Sequence, residues 1–335
     1  MTFDIALVWG AIIAFGVFLY VVLDGFDLGI GLLFPLFHRE HERQIMLNTV
    51  APVWDGNETW MVLGGAGLFA AFPVAYSVLL PAAYLPVIGM VCGLIFRGVA
   101  FEIRAKARRS QHLWDLAFMI GSATAIFCQG LILGTVLQGI PVVGRQYAGG
   151  PFDWLSPFGL LVGLGLWVTY ATLACGWLIM KTEGELQRRM YVAMKPLTWL
   201  LFVFIVAVSV WTVLGQPTIA RRWLTLPNLF YFLPVPLLVV ACVIGIQVSV
   251  RRQHDRHPFL LALGIMSLGY SGLLISIFPN ILPPSLDLWA ASAPYSSQAF
   301  TLVGAAIVVP IILVYTAASY WIFRGKVRAN DPGYH

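Results

Sequence analysis

Residues 5 to 37 read IALVWGAIIAFGVFLYVVLDGFDLGIGLLFPLF, an apolar run interrupted by charge only at Asp24 and Asp27. A hydrocarbon core about 30 Å thick is crossed by a helix of roughly 20 apolar residues, so this segment can span a bilayer with residues to spare. A charge at that depth costs at least ~2.5–3.5 kcal/mol on insertion scales, and intramembrane acids usually line a route for an ion, a proton or a substrate. The run therefore predicts a membrane helix and, within it, a place to look for chemistry.

The rest of the chain follows the same composition. Hydrophobic residues make up 59% of the 335 and charged residues only 10%, and the mean hydropathy is +0.84, well outside the balance of soluble domains. The apolar stretches have helical length rather than the ~10-residue alternation of barrel strands, which predicts an all-α integral membrane protein. Nine spans are expected, near residues 5–37, 45–73, 79–102, 114–137, 157–180, 197–214, 229–250, 259–279 and 299–323, in a single transmembrane domain covering 1–335.

Basic residues test that count independently. The connections after the odd-numbered spans hold Arg39 and Arg43; Arg104, Lys106, Arg108 and Arg109; Lys181, Arg188, Arg189 and Lys195; Arg251, Arg252 and Arg256; and Arg324, Lys326 and Arg328, sixteen of the twenty Lys and Arg residues. Cytoplasmic loops carry the excess of such residues, so the N-terminus is expected outside (periplasmic) and the C-terminus in the cytoplasm. The same asymmetry accounts for the net charge of +5 without a nucleic-acid partner; clustered bases at a membrane face meet anionic lipid. With Asp4 ahead of the apolar run, no basic leader and no small-residue cleavage site, the first span is expected to stay in the mature protein.

Other chemistries find little support. Cys92, Cys128, Cys175 and Cys242 each fall in a different span with no CxxC pairing, and read as small core residues rather than zinc ligands or a disulfide framework. His38, His41, His112, His254, His257 and His335 lie in loops, at span ends or at the C-terminus, so no mid-membrane imidazole is offered to a haem or copper ion. HREHER, residues 38–43, reads as a solvated mixed-charge loop, and residues 138–156, with Pro141, Gly144, Gly149, Gly150 and Pro151, as a turn-rich connection. No phosphate-binding GxxxxGKS pattern and no tandem repeat occurs.

Chemistry concentrates in the first two spans. In LDGFDLGIG, residues 23–31, Asp24 and Asp27 share a helix face and Gly25 and Gly29 form a GxxxG that admits a close neighbour. In APVWDGNETW, residues 51–60, Asp55 and Glu58 repeat the three-residue spacing beside Asn57, and Pro52 can loosen the local ladder. In an antiparallel hairpin Asp27 and Asp55 are expected at similar depth, ~15 Å from the cytoplasmic ends. Carboxylates gathered in a dry site can hold a proton and pass it on, which gives a proton path as the functional reading and interhelical hydrogen bonding as the plain one. Arg97 and Glu102, near the cytoplasmic end of the third span, support that path or snorkel to the interface. A proton-coupled secondary transporter places acids in glycine-rich helices in the same way and is the alternative class; a structural scaffold is a third.

DGFDLGIG at 24–31, APVWDGNETW at 51–60, FRGVAFEIRAK at 96–106, LQGIP at 137–141, SPFGLL at 156–161 and VPIILVYTAASYW at 309–321 stand in an order and spacing that resembles subunit II of cytochrome bd-type quinol oxidases, in a short form similar to that of the cyanide-insensitive branch. The resemblance implies nine helices, arranged as two four-helix bundles plus one peripheral helix. It implies a pseudo-symmetric partner, subunit I, which carries the quinol site and the haems (haem b, with or without haem d), so that no cofactor is bound by this chain's own ligands. It leaves room for a small single-helix accessory subunit and for lipid and quinone contacts in the bacterial inner membrane. The implied reaction oxidises quinol and reduces dioxygen to water, building a proton gradient without pumping. By position, Asp24, Asp27 and Asp55 match acids associated with cytoplasmic proton uptake, Glu58 stands where some relatives have glutamine, and Trp60 matches an aromatic beside an apolar oxygen route, with simple packing as its alternative.

Overall fold

The structure is a computed structural model that describes residues 4–107 and 109–327; of the basic and histidine residues counted above, Arg108, Arg328 and His335 lie outside them. The first apolar run becomes helix α1, Ile5–Leu33, capped by the Asp4 carboxylate, which accepts from the Leu7 amide. Hydrogen bonds from Trp289 and Leu7 hold the Asp4 carboxyl below its usual carboxylate range. A 3-10 turn, Phe34–Leu36, with Pro35 at its start, ends the run.

The second span departs from the expected single helix over 45–73. A short helix α2, Glu40–Asn48, takes up part of the HREHER segment, a turn containing Pro52 follows, and α3 begins only at Trp54 and runs to Ala71. Proline has no N–H for the helix ladder, which is the physical reason for the break. Phe72 then leaves helical geometry before Pro73, and α4, Pro73–Ala82, is bent 119° from α3. The remaining elements are α5 Tyr84–Arg104, α6 Gln111–Gln138, a hairpin of β1 Val142–Val143 and β2 Gln146–Tyr147, α7 Pro157–Lys181, α8 Gly184–Gly215, α9 Pro217–Leu224, α10 Asn228–Phe232, α11 Pro234–Arg251, α12 His257–Ile277, a second hairpin of β3 Asn280–Leu282 and β4 Leu286–Asp287, α13 Leu288–Ala291 and α14 Tyr295–Ile322. Gly139, at φ +93°, stops α6, and Gly144, at φ +65°, turns the first hairpin within the loop expected to be turn-rich.

Among the described residues eight helical segments are long and apolar enough to cross a membrane, and a ninth is reached only by taking bent α3 and α4 as one span. Helix α1 lies at the centre, against α3, α6 and α7; α5 pairs with α6, α6 with α7, α7 with α8, and α11 with α12, while α14 rests on α3 and α1. Lipid tails are as apolar as leucine, so close backbone approach rather than apolar burial drives such pairing. Glycines supply it. A side chain at Gly93 would meet the Gly121 backbone, and Gly130 and Gly134 of α6 oppose Gly163 and Gly159 of α7. Phe26 stacks on Trp177 with centroids 4.2 Å apart and Phe259 meets it edge-on at 5.7 Å, which locks α1, α7 and α12 together at the core.

Candidate functional site

The GxxxG of α1 does what its spacing predicts. Cβ atoms added at Gly25 and Gly29 would run into the Tyr170 ring and the Tyr170 backbone, so α7 rides directly over this turn. Its approach, with that of α3 and α5, seals Asp24 and Asp27 from solvent at 0% and 1% exposure.

Arg97 of α5 reaches the same space and is itself 1% exposed. Its Nη2 donates to Asp24 Oδ1 at 2.8 Å and lies 3.9 Å from Asp27 Oδ2, while Nη1 donates to Glu58 Oε2 at 3.3 Å. The Trp54 ring sits 5.2 Å from the guanidinium carbon. Arg97 thus does not snorkel; it is the hub of the cluster, and the snorkelling alternative is corrected by its three carboxylate partners. The fork geometry of a guanidinium suits it to hold two helices at once. Glu58 retains 24% side-chain exposure and is the one acid of the three that opens outward.

Asp55, expected to face Asp27 across the hairpin, is not part of this group. The break at Pro52 puts it in the first turn of α3, where it is exposed. Asn57 takes the facing position instead, donating from Nδ2 to Asp27 Oδ2 at 2.7 Å and to the Leu23 carbonyl at 3.4 Å. Thr59, also exposed, donates to the Asp55 carbonyl. With Val62 and Phe69, Asp55 and Thr59 mark one outward face of α3. Glu102 is likewise exposed, at the end of an outward α5 face formed by Ile88, Ile95 and Val99. Trp60 is fully buried, edge-on to Phe15 at 6.1 Å, with its Nε1 unpartnered.

Several polar residues of the site escaped the sequence reading. Tyr320 of α14 donates its hydroxyl to Asn57 Oδ1 at 3.1 Å. Gln129 of α6 donates to the Tyr20 hydroxyl at 2.5 Å and accepts from the Tyr170 hydroxyl at 2.9 Å, one turn of α1 from Asp24. A second buried group lies toward the basic end, where Asp115 of α6 accepts from Arg104 Nε at 2.5 Å and Arg43 Nη1 at 2.7 Å, and Arg104 Nη1 donates to Gln44. Arg43 and Arg104 were counted as loop bases that orient the chain; the carboxylate between them makes them a clamp on α2, α5 and α6. The signal in the sequence is Asp115, six residues after Arg109, the last base of the connection, and in the second turn of the next helix.

Three carboxyl groups around one guanidinium, enclosed by helices and open at one edge, define a multi-pass helical membrane protein with buried acid chemistry between its leading helices. The chain belongs to the cytochrome bd terminal oxidase subunit II family, which matches residues 5–323. It is 30% identical to subunit 2 of the cytochrome bd-I ubiquinol oxidase of Escherichia coli K12, covering 97% of this chain and 95% of that one. It is 28% identical to subunit 2 of the cytochrome bd ubiquinol oxidase of Bacillus subtilis 168, covering 93% and 94%. In fold it resembles the bd oxidase of Geobacillus thermodenitrificans, with a TM-score of 0.76 over 96% of this chain and 97% of the other at 15% identity. Membership makes it a multi-pass protein of the bacterial inner membrane, a component of a terminal oxidase complex with a partner, subunit I.

Haem is the group that membership implies for the complex. Haem iron is most often held by histidine, and His38, His41, His112, His254 and His257 all lie in loops or in the first two positions of a helix. The described residues therefore do not fit a histidine-ligated haem within this chain's membrane interior.

Proposed function

We propose that this chain is the non-haem subunit of a bd-type oxidase that oxidises quinol and reduces dioxygen to water, and that its acids supply protons from the cytoplasmic side. The observation that carries this reading is the cluster of Asp24, Asp27 and Glu58 on Arg97. Three carboxyl groups share one guanidinium, so the site has more acids than its cation neutralises and can hold protons as well as release them.

Asp55 supports the direction of delivery. A carboxylate on an outward, otherwise apolar helix face is costly against lipid, and a partner covering α3 and α5 would place Asp55, Thr59 and Glu102 at a polar seam next to the exposed edge of Glu58. On this reading the acids hand protons outward into subunit I, where the haems and the quinol site reside, while Glu102 supports the mouth. Trp60, buried beside Phe15 with an unsatisfied ring nitrogen, is on this reading the aromatic beside an apolar route for oxygen. The bias of bases supports an orientation with the N-terminus outside and the acid cluster in the cytoplasmic half. The pairings α1–α3, α1–α6 and α5–α6, and α7–α8, α8–α11, α11–α12 and α7–α12, support two four-helix bundles with α14 peripheral.

Two measurements test the reading. In visible spectra of the purified complex and of this chain alone, haem is expected with the partner; haem retained at normal stoichiometry by this chain alone would overturn the assignment. Asp55→Asn is expected to slow quinol-driven oxygen consumption about tenfold, short of the roughly 10²–10⁴-fold of a general acid acting in the chemical step itself, with haem content unchanged. Full turnover in that variant removes Asp55 from the path. Substrate-dependent uptake by this chain reconstituted without a partner would favour the transporter class instead.

A further inference from the structure

We propose that Tyr320 is a positioning residue for the acid cluster, reaching Asp27 from the peripheral helix α14 through Asn57. The inference rests on the reading that the cluster handles protons during turnover.

The geometry runs in one line. Asn57 is 1% exposed, and its amide is oriented from both sides. Asp27 Oδ2, an acceptor when ionised, accepts from Asn57 Nδ2 at 2.7 Å, which leaves Asn57 Oδ1 to accept from the Tyr320 hydroxyl at 3.1 Å. Tyr320 is in turn held by its ring edge against Trp177, centroids 6.1 Å apart at 81°, and Trp177 donates from Nε1 to Thr49 at 3.2 Å. Just beyond Tyr320, Lys181 of α7 donates from Nζ to the carbonyls of Phe323 and Gly325, and the Val327 amide donates back to the Lys181 carbonyl at 2.8 Å, so the end of α14 is tied down on two sides. Most of α14 above this point faces outward, yet its last turn is fixed onto the acid site.

An amide does not exchange protons as a carboxyl group does, so Asn57 separates Tyr320 from the acids as a conductor while connecting them as a brace. Without the phenol, Oδ1 becomes a buried acceptor with no donor, and the amide is free to turn its oxygen toward Asp27, where it repels the carboxylate it formerly held. The charged and titratable groups around this point are Tyr20, Asp24 and Asp27 of α1, Glu58 of α3, Arg97 of α5, Tyr170 of α7 and Tyr320 itself; none of the others touches Asn57 Oδ1.

The test uses the purified complex with its partner subunit and measures quinol-driven oxygen consumption in H2O and D2O. Tyr320→Phe keeps the ring on Trp177 and is expected to slow turnover about three- to tenfold, to raise the H2O/D2O rate ratio, and to leave haem content and subunit ratio unchanged. Asn57→Leu should slow the enzyme at least as much, and the double variant should be no slower than Asn57→Leu alone, because the tyrosine acts through the amide. A wild-type rate and isotope ratio in Tyr320→Phe alongside a slow Asp27→Asn would overturn the inference and leave the proton reading standing. Multiplicative losses in the double variant, or activity lost only in proportion to haem, would also overturn it. Full turnover in Asp27→Asn would sink the underlying reading, and the inference with it.

Discussion

Arg97→Met is expected to prevent accumulation of the intact complex, or to leave a residue of it that dissociates on solubilisation. The methionine fills much of the same space but removes the cation that Asp24, Asp27 and Glu58 share. Breaking a buried ion pair by deleting one partner typically costs about 3–5 kcal/mol, because the surviving charge stays in a dry site. Here two of the three acids are at most 1% exposed, and Arg97 is the cation that binds them. Protonating the acids would relieve the charge but strand their oxygens without donors: Asp24 Oδ2 and Asp27 Oδ1 are already unpartnered. Arg97→Lys keeps the charge but loses the fork that reaches Asp24 with one nitrogen and Glu58 with the other, so an intermediate loss is expected. Adding Asp24→Asn and Asp27→Asn to Arg97→Met should recover assembly without recovering turnover. The measure is the yield and melting temperature of the complex in detergent. Wild-type values in Arg97→Met would show that the cluster contributes nothing to the fold.

That expectation depends on a contact that residue patterns alone did not resolve. The membrane class, the helical fold and the position of Asp24 and Asp27 on one face follow from hydropathy and the three-residue spacing, which are local properties of a helix. Which helix meets which is not local. Arg97, near the end of its span, is compatible with snorkelling or with pairing, and only the close packing of α5 on α6, with Gly93 against Gly121, sets its side chain within reach of the α1 acids and decides between them. The displacement of Asp55 has a different origin. Pro52 was visible as a weak point, but the sequence does not say whether a proline loosens one turn or ends the helix; a full break moves the carboxylate from mid-helix to the first turn and swaps Asn57 into the buried seat. Two further GxxxG pairs, Gly130 with Gly134 and Gly159 with Gly163, were legible by the same spacing rule that singled out Gly25 and Gly29, and they form the α6–α7 seam. Tyr320 had no such signal: it is one aromatic among several in an apolar helix, and only its distance from Asn57 sets it apart.

Gly29→Ala, a change of a single methyl group, is expected to be the most damaging small substitution in the chain. The added Cβ would overlap the Tyr170 carbonyl oxygen, fall 2.6 Å from its carbon and 2.8 Å from the Ala174 Cβ. Backbone atoms of α7 cannot swing aside as a side-chain end can, so α1 and α7 must separate. Overpacking costs typically 1–3 kcal/mol and more where nothing yields, and this seam gives little room. The Phe26–Trp177 stack at 4.2 Å spans the same two helices and would open with it. Separation also bears on chemistry, since α7 supplies Tyr170 to Gln129 and closes the roof over Asp24 and Asp27. Water admitted there would weaken the hold of Arg97 on its acids by screening it. The control is Gly304→Ala on α14, where an added Cβ meets nothing within 4 Å and helix propensity predicts a change of at most about 1 kcal/mol, in the stabilising direction. Melting of the two complexes in one detergent should therefore place Gly29→Ala many degrees below wild type and Gly304→Ala level with it or slightly above. Equal melting of the two would mean that the α1–α7 seam tolerates a methyl group, and that the acid site is held shut by something other than the glycines beneath it.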